Sequence, residues 1–270
     1  MPLRFFVLTA LVLSTMTVST AIAATGCTLV IRVNTGAVLF EEGDCDTRVT
    51  PASSFKLPLA VIGFDARILT SPDAPAVAYD PDKHVDWMEN WKTTVTPSTW
   101  LRDSVVWYSW TITRPLGLEQ IESYLARLNY GNQDMGGTVG MNNGLTHAWL
   151  SSTLAISPRE QAAFLSKLVL RALPVKVSSQ QLAIETTATY PFGDGQVAKG
   201  KTGTGASQDA DGNRIADQQI GWFIGWTGTD TDPVVFVRLI RDTGPQETYA
   251  GNRARDGMLA DLPSYLQRTD

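Results

Sequence analysis

The sequence has few histidines, few cysteines and no excess of positive charge, and each shortage removes a class of function. Two histidines, His84 and His147, stand in 270 residues. A serine–histidine–aspartate triad needs one of them, and neither lies in a recognisable setting. His84, in Asp82-Lys83-His84-Val85, reads as a surface loop residue. The same shortage argues against a histidine-cluster metal centre, so no metal is expected. Lys and Arg number 22 against 27 Asp and Glu, a formal charge of −5, which argues against a nucleic-acid partner. No repeat or low-complexity tract is present. Beyond the N-terminus no segment approaches the roughly 20 apolar residues of a membrane span.

The N-terminus itself is distinctive. Met1-Pro2-Leu3-Arg4 precedes a largely apolar run from Phe5 to about Val18, and Ala21-Ile22-Ala23 follows. A positive start, an apolar stretch and small residues at −3 and −1 describe a secretory signal peptide over residues 1–23. The expected mature unit is then residues 24–270, a single domain of two lobes, soluble and exported to the periplasm.

The only two cysteines, Cys27 and Cys45, suit that compartment. Thr28-Leu29-Val30-Ile31-Arg32-Val33 and Ala37-Val38-Leu39-Phe40 flank Asn34-Thr35-Gly36, which reads as a hairpin turning near Gly36. The cysteines then face each other near its open end, and a structural disulfide is expected.

Further on, residues 54–69 read as a helix whose first turn is irregular, because Pro58 cannot donate to the carbonyl of Ser54. Residues 70–99 are rich in proline and read as loops. Helical patterns follow at about 100–110, 117–128 and 158–171, the last opened by Ser157-Pro158-Arg159-Glu160, an N-cap, a proline at N1 and an acid at N3. Another helix from about 180 leads to strands near 196–203, 220–227 and 234–240, and a helix over about 250–266 closes the chain. Residues 206–219, with the turn signal Asp211-Gly212-Asn213, read as a loop. A sheet built from both chain ends, with a helical region inserted at about 70–185, leaves a cleft between two lobes.

Ser53 precedes Lys56 by three residues in Pro51-Ala52-Ser53-Ser54-Phe55-Lys56, which puts a hydroxyl and an amine on one helix face. A serine hydroxyl needs a nearby base to act as a nucleophile. Lysine serves as that base when an apolar pocket lowers its pKa, and Phe55, Leu57 and Val61 are suitable walls. Lys201-Thr202-Gly203, on an expected strand, offers a carboxylate-binding edge. Ser104, in Asp103-Ser104-Val105-Val106 at the first turn of an expected helix, is placed to relay a proton. Trp149 offers an indole donor.

Together, Ser53-x-x-Lys56, Ser104-x-Val106, Tyr130-Gly131-Asn132, Trp149, Lys201-Thr202-Gly203 and Gly221-Trp222-x-x-Gly225-Trp226 resemble the class D serine β-lactamases, the oxacillinases. Ser54 stands where threonine is commoner, and Trp110 where a polar residue is expected. The resemblance implies an α/β (α+β) fold of the β-lactamase and transpeptidase type, a central antiparallel sheet with flanking helices. It implies that Ser53 forms an acyl-enzyme with a β-lactam and that Lys56 carries a carbamate from CO2 or bicarbonate (N6-carboxylysine) and is the general base. Trp149 is implied to donate to that carbamate, and Val106 to screen it from water. Ser104 passes a proton to the leaving nitrogen. Lys201, Thr202 and Arg253 hold the substrate carboxylate, with Arg255 a rival for Arg253. Gly203 admits the substrate, and the backbone N–H groups of Ser53 and Thr204 form an oxyanion hole. Two related activities share the Ser-x-x-Lys and Lys-Thr-Gly logic: a penicillin-binding DD-peptidase and a non-catalytic β-lactam sensor. Trp149 and the apolar Val106 weigh against the peptidase, which needs neither without a carbamate, and the cleavable signal with no later span weighs against the membrane-tethered sensor. The substrate range and the oligomeric state are not legible in the sequence.

Overall fold

The computed structural model describes residues 26–209 and 213–268; the expected signal peptide, residues 1–23, and the turn residues Asp211 and Gly212 lie outside them. Six antiparallel strands form one sheet in the order β2-β1-β6-β5-β4-β3. They are β1 (Cys27–Arg32), β2 (Ala37–Gly43), β3 (Thr189–Phe192), β4 (Gln196–Gln208), β5 (Arg214–Thr229) and β6 (Asp232–Arg241). Strands from both chain ends therefore meet, because β1 pairs with β6.

The central strands are apolar on both faces, and the alternation of their side chains explains why. On β5, Trp222, Ile224 and Trp226 enter the larger core, whereas Phe223 points into the smaller one. On β6, Val235, Val237 and Leu239 take the first side and Val234 and Phe236 the second. A two-residue period with both faces covered is what a central strand requires. Each such buried side chain contributes about 1.5–3 kcal/mol. Helix α7 (Ala250–Leu266) covers the smaller core through Ala254, Met258 and Leu262. The larger core packs under α1 (Lys56–Asp65), α2 (Pro97–Asp103), α3 (Val106–Leu128), the short α4 (Gly144–His147), α5 (Pro158–Val169) and α6 (Val177–Thr186). This is the antiparallel sheet with flanking helices that the resemblance implies.

The first hairpin turns as expected, with Gly36 at φ 73°, where a residue without Cβ carries no steric penalty. Cys27 and Cys45 are joined, with Cα atoms 5.1 Å apart. At α5 the capping box closes: Glu160 N donates to Ser157 Oγ at 3.2 Å and Ser157 N to Glu160 Oε2 at 2.9 Å.

Four elements differ from the sequence reading. The helix expected over 100–110 is two helices, parted at Ser104, whose φ of 61° is left-handed. Ser104 therefore caps α2 and stands outside any helix. Residues 106–128 run on as α3, kinked at Gly117 (φ 74°, ψ 170°) after Pro115. Residues 206–219 are not a loop but mostly strand, since β4 and β5 extend toward each other and Gln208 pairs with Arg214. Finally, β3 is an additional strand at the sheet edge, the position where Pro191 can be accommodated.

Candidate active site

Ser53 sits in a tight turn rather than a regular helix. Ala52 is buried at φ 48°, a conformation that costs a non-glycine residue about 1–3 kcal/mol. A 3-10 turn over Ala52–Phe55 follows and passes directly into α1. Ser54 pins this turn: its Oγ donates to Pro51 O at 2.7 Å and accepts from Gln161 Nε2 at 2.9 Å. With Ser54 so occupied, Ser53 is left to face the cleft and Lys56.

Lys56 Nζ donates to Ser53 Oγ at 2.9 Å. Lys56 is 0% exposed and has no carboxylate partner among the described residues. Burial, with the Lys201 charge adding to it, holds its pKa well below the ordinary lysine range. Such surroundings favour the neutral amine, the form that can accept a proton.

Lys201 lies on β4, buried at 2% exposure, where its Nζ donates to Ser104 Oγ at 2.9 Å and to Thr202 O at 3.0 Å. Burial pulls its pKa down to about 7, against the opposing pull of Asp103. The hydrogen bond to Lys201 and the bond from Ser104 N–H to Trp100 O hold Ser104 in its left-handed conformation. Gly203 is obligatory at its site. A Cβ there would lie 2.9 Å from both Pro51 O and Ser54 N and 3.2 Å from Ser53 N. Only glycine lets β4 lie against the Ser53 turn. Thr204 Oγ1 accepts from Gly251 N at 2.9 Å, which joins β4 to the start of α7.

Trp149 is fully buried, its ring 5.4 Å from that of Phe55, and its Nε1 is a buried donor without a hydrogen-bond partner among the described residues. Such a donor is costly unless an acceptor occupies its place. The Tyr130-Gly131-Asn132 segment does not line the cleft. Asn132 braces the chain after Trp149, its Nδ2 donating to Thr153 O at 2.7 Å and its Oδ1 accepting from Ala155 N at 2.9 Å.

A cavity of about 440 Å³ brings together Ser53, Ser104, Val106, Thr202, Gly203 and Thr204. Lys56 and Lys201 lie beneath it, reached through Ser53 and Ser104. Arg253 is not on its wall: its Nη2 is held by Asp242. Arg255 is on the wall, its guanidinium 5.7 Å from the Tyr190 ring centre. Trp87, Met88 and Trp91, from the proline-rich segment read only as loops, also line the cavity and were missed in the sequence. Trp87, exposed and four residues before the core residue Trp91, was the available signal, since an aromatic left outside the core faces a cleft or an interface.

The geometry matches known proteins along most of the chain. The penicillin binding protein transpeptidase domain family matches residues 26–263. Beta-lactamase OXA-9 of Klebsiella pneumoniae is 39% identical over 237 residues, which cover 88% of this chain and 86% of that protein. Beta-lactamase OXA-1 of Escherichia coli is 40% identical over 203 residues, 74% of this chain and 70% of the relative. The crystal structure of the OXA-427 class D β-lactamase superposes with a TM-score of 0.83 at 42% identity, covering 90% of this chain and 99% of that one. The Ser53–Lys56 pair, the buried Lys201 and the unpartnered Trp149 donor thus stand in a chain that belongs to the class D β-lactamases, a family of serine hydrolases.

Proposed function

We propose that the chain hydrolyses the amide bond of β-lactams through an acyl-enzyme on Ser53, and that it confers β-lactam resistance. The observation that carries this reading is the Ser53–Lys56 pair at 2.9 Å, with a fully buried lysine that lacks a carboxylate partner. Ser53 Oγ bonds to the lactam carbonyl carbon and gives up its proton on the Lys56 side. The carbon–nitrogen bond then breaks as Ser104 delivers a proton to the departing nitrogen. Lys201, hydrogen-bonded to Ser104 at 2.9 Å, is the source from which Ser104 regains that proton. Backbone N–H groups of Ser53 and Thr204 receive the carbonyl oxygen, a role supported by the close approach of β4 to the Ser53 turn. Water then gives a proton to the Lys56 side as its oxygen bonds to the acyl carbon, and the ester carbon–oxygen bond breaks. Ser53 takes a proton back from the Lys56 side, and the proton still held there is released as Lys201 regains its own.

The residues around Lys56 fit a carbamate formed on its amine by CO2. Burial favours the neutral amine, which is the form that reacts, and the unpartnered Trp149 N–H supplies a donor for a buried anion. When present, that group supplies the general base for attack by Ser53 and by water. Val106, 3% exposed, shields this position from bulk solvent. Lys201 and Thr202 receive the substrate carboxylate, and Arg255, on the cavity wall, is the arginine that joins them.

The protein works after export to the periplasm in this reading. The disulfide suits an oxidising compartment, and among the described residues no helix is long and apolar enough to cross a membrane. The test is a chromogenic cephalosporin assay followed over many turnovers. Wild type should continue past one equivalent and Ser53→Ala should not turn over; a single stoichiometric burst by wild type would contradict hydrolysis.

A further inference from the structure

Trp149 belongs to no helix or strand, so something else must fix its indole. It stands in the turn after α4, where Leu150 N donates to His147 O at 2.8 Å and Leu154 N to Ala148 O at 3.0 Å. Across this turn reaches one buried side chain from a segment about a hundred residues earlier. Thr50, 3% exposed, donates its hydroxyl to Trp149 O at 2.9 Å and accepts from Ser151 N at 3.0 Å. A hydroxyl has one proton to give and lone pairs to receive with, and Thr50 uses both functions on the same turn.

Thr50 is itself held in place. Its carbonyl accepts from Trp222 Nε1 of β5 at 2.9 Å, and it stands three residues before Ser53. One threonine therefore links the sheet, the nucleophile turn and the backbone of Trp149. Ser151 adds a second tie on the far side, its Oγ accepting from Ala206 N of β4 at 3.0 Å.

We propose that Thr50 is a positioning residue that sets the place of the Trp149 indole relative to Lys56, and so how tightly the carbamate on Lys56 is held. This rests on the carbamate reading of Lys56 given above. Thr50 touches neither substrate nor the reacting atoms. Its effect passes through the Trp149 backbone, and the expected signature is a changed demand for CO2 rather than a changed chemical step.

Thr50→Val keeps the shape and removes both hydrogen bonds, whereas Thr50→Ser keeps them. The experiment depletes CO2 at mildly acidic pH and titrates bicarbonate against turnover for wild type and both variants, with labelled CO2 reporting the carbamate directly. The half-saturating bicarbonate concentration of Thr50→Val should rise about tenfold, the scale of one or two lost hydrogen bonds. Its turnover at saturating bicarbonate should approach that of wild type, and Thr50→Ser should match wild type throughout. If Thr50→Val does not fold, Thr50→Ala serves with the same expectation. A bicarbonate requirement equal to that of wild type, even with a lowered Tm, would make Thr50 merely structural and overturn the proposal. Wild type that gives neither a carbamate signal nor a bicarbonate response would overturn the carbamate reading as well, and that failure is visible before any Thr50 variant is made.

Discussion

Arg253 Nη2 donates to both carboxylate oxygens of Asp242, at 2.8 and 2.6 Å, and Asp242 is buried. A guanidinium so engaged has a structural task, tying the start of α7 to the segment after β6. Arg255, two residues further along α7, lies on the cavity wall. The two arginines should therefore fail differently. Arg253→Ala leaves a buried carboxylate without its partner and should lower stability by about 2 kcal/mol. Arg255→Ala should leave Tm nearly unchanged and lower kcat/KM for a carboxylate-bearing substrate by roughly tenfold or more, as expected for a lost charged contact. Esterifying that carboxylate should erase the Arg255 effect. Denaturation curves beside acid-against-ester kinetics for both variants check this, and an acid-specific loss in Arg253→Ala alone would reverse the assignment.

Lys201 gives a pH dependence with a definite sign. Its pKa falls from 10.5 to about 7 on folding. Between those values the unfolded chain binds more protons than the native one, so this residue makes stability rise as pH increases from about 7 towards 10.5. Recognition runs the other way, because a neutral Lys201 no longer attracts a carboxylate. KM for an acidic substrate should rise as pH passes upward through about 7, and KM for its ester should stay flat. Parallel pH profiles for the acid and the ester decide it; identical profiles would remove Lys201 from carboxylate binding.

The Cys27–Cys45 bridge closes a loop of 18 residues of sequence separation. On the chain-entropy account such a closure contributes roughly 3 kcal/mol, mostly by restricting the unfolded chain. Both cysteines lie at the far end of the first hairpin from Gly36, outside the catalytic cavity. Cys27→Ala/Cys45→Ala should thus lower Tm by several degrees and leave kcat at moderate temperature near wild type. Calorimetry and steady-state rates on the double variant check both halves.

Local chemistry made much of this fold legible. Gly36 between two alternating runs marked the hairpin, and Ser157-Pro158-Arg159-Glu160 marked the start of α5. What escaped depended on partners distant in sequence. The Ser104 break lies between apolar stretches that read as one helix, and it is held open by Lys201, 97 residues away. Residues 206–219 carry turn-forming side chains, yet the pairing of Gln208 with Arg214 extends the ladder into them. The strand β3 went unread, and only its place at the sheet edge makes Pro191 tolerable in it. The Arg253–Asp242 pair is likewise tertiary, so the choice between Arg253 and Arg255 was open in sequence. The motif Tyr130-Gly131-Asn132 was visible, but its task of bracing Thr153 and Ala155 was not.

The acyl-enzyme on Ser53 and its release with the help of Lys56 are tested together by one mass measurement. Wild-type protein in CO2-depleted, mildly acidic buffer is mixed with a β-lactam, and intact mass is followed before and after bicarbonate is added. The account predicts one accumulating adduct, mapped by digestion to the peptide containing Ser53 and to Ser53 within it. It also predicts that bicarbonate clears this adduct while turnover resumes. No adduct, an adduct on Ser54, or an adduct on Ser53 that clears equally fast with and without bicarbonate would contradict it.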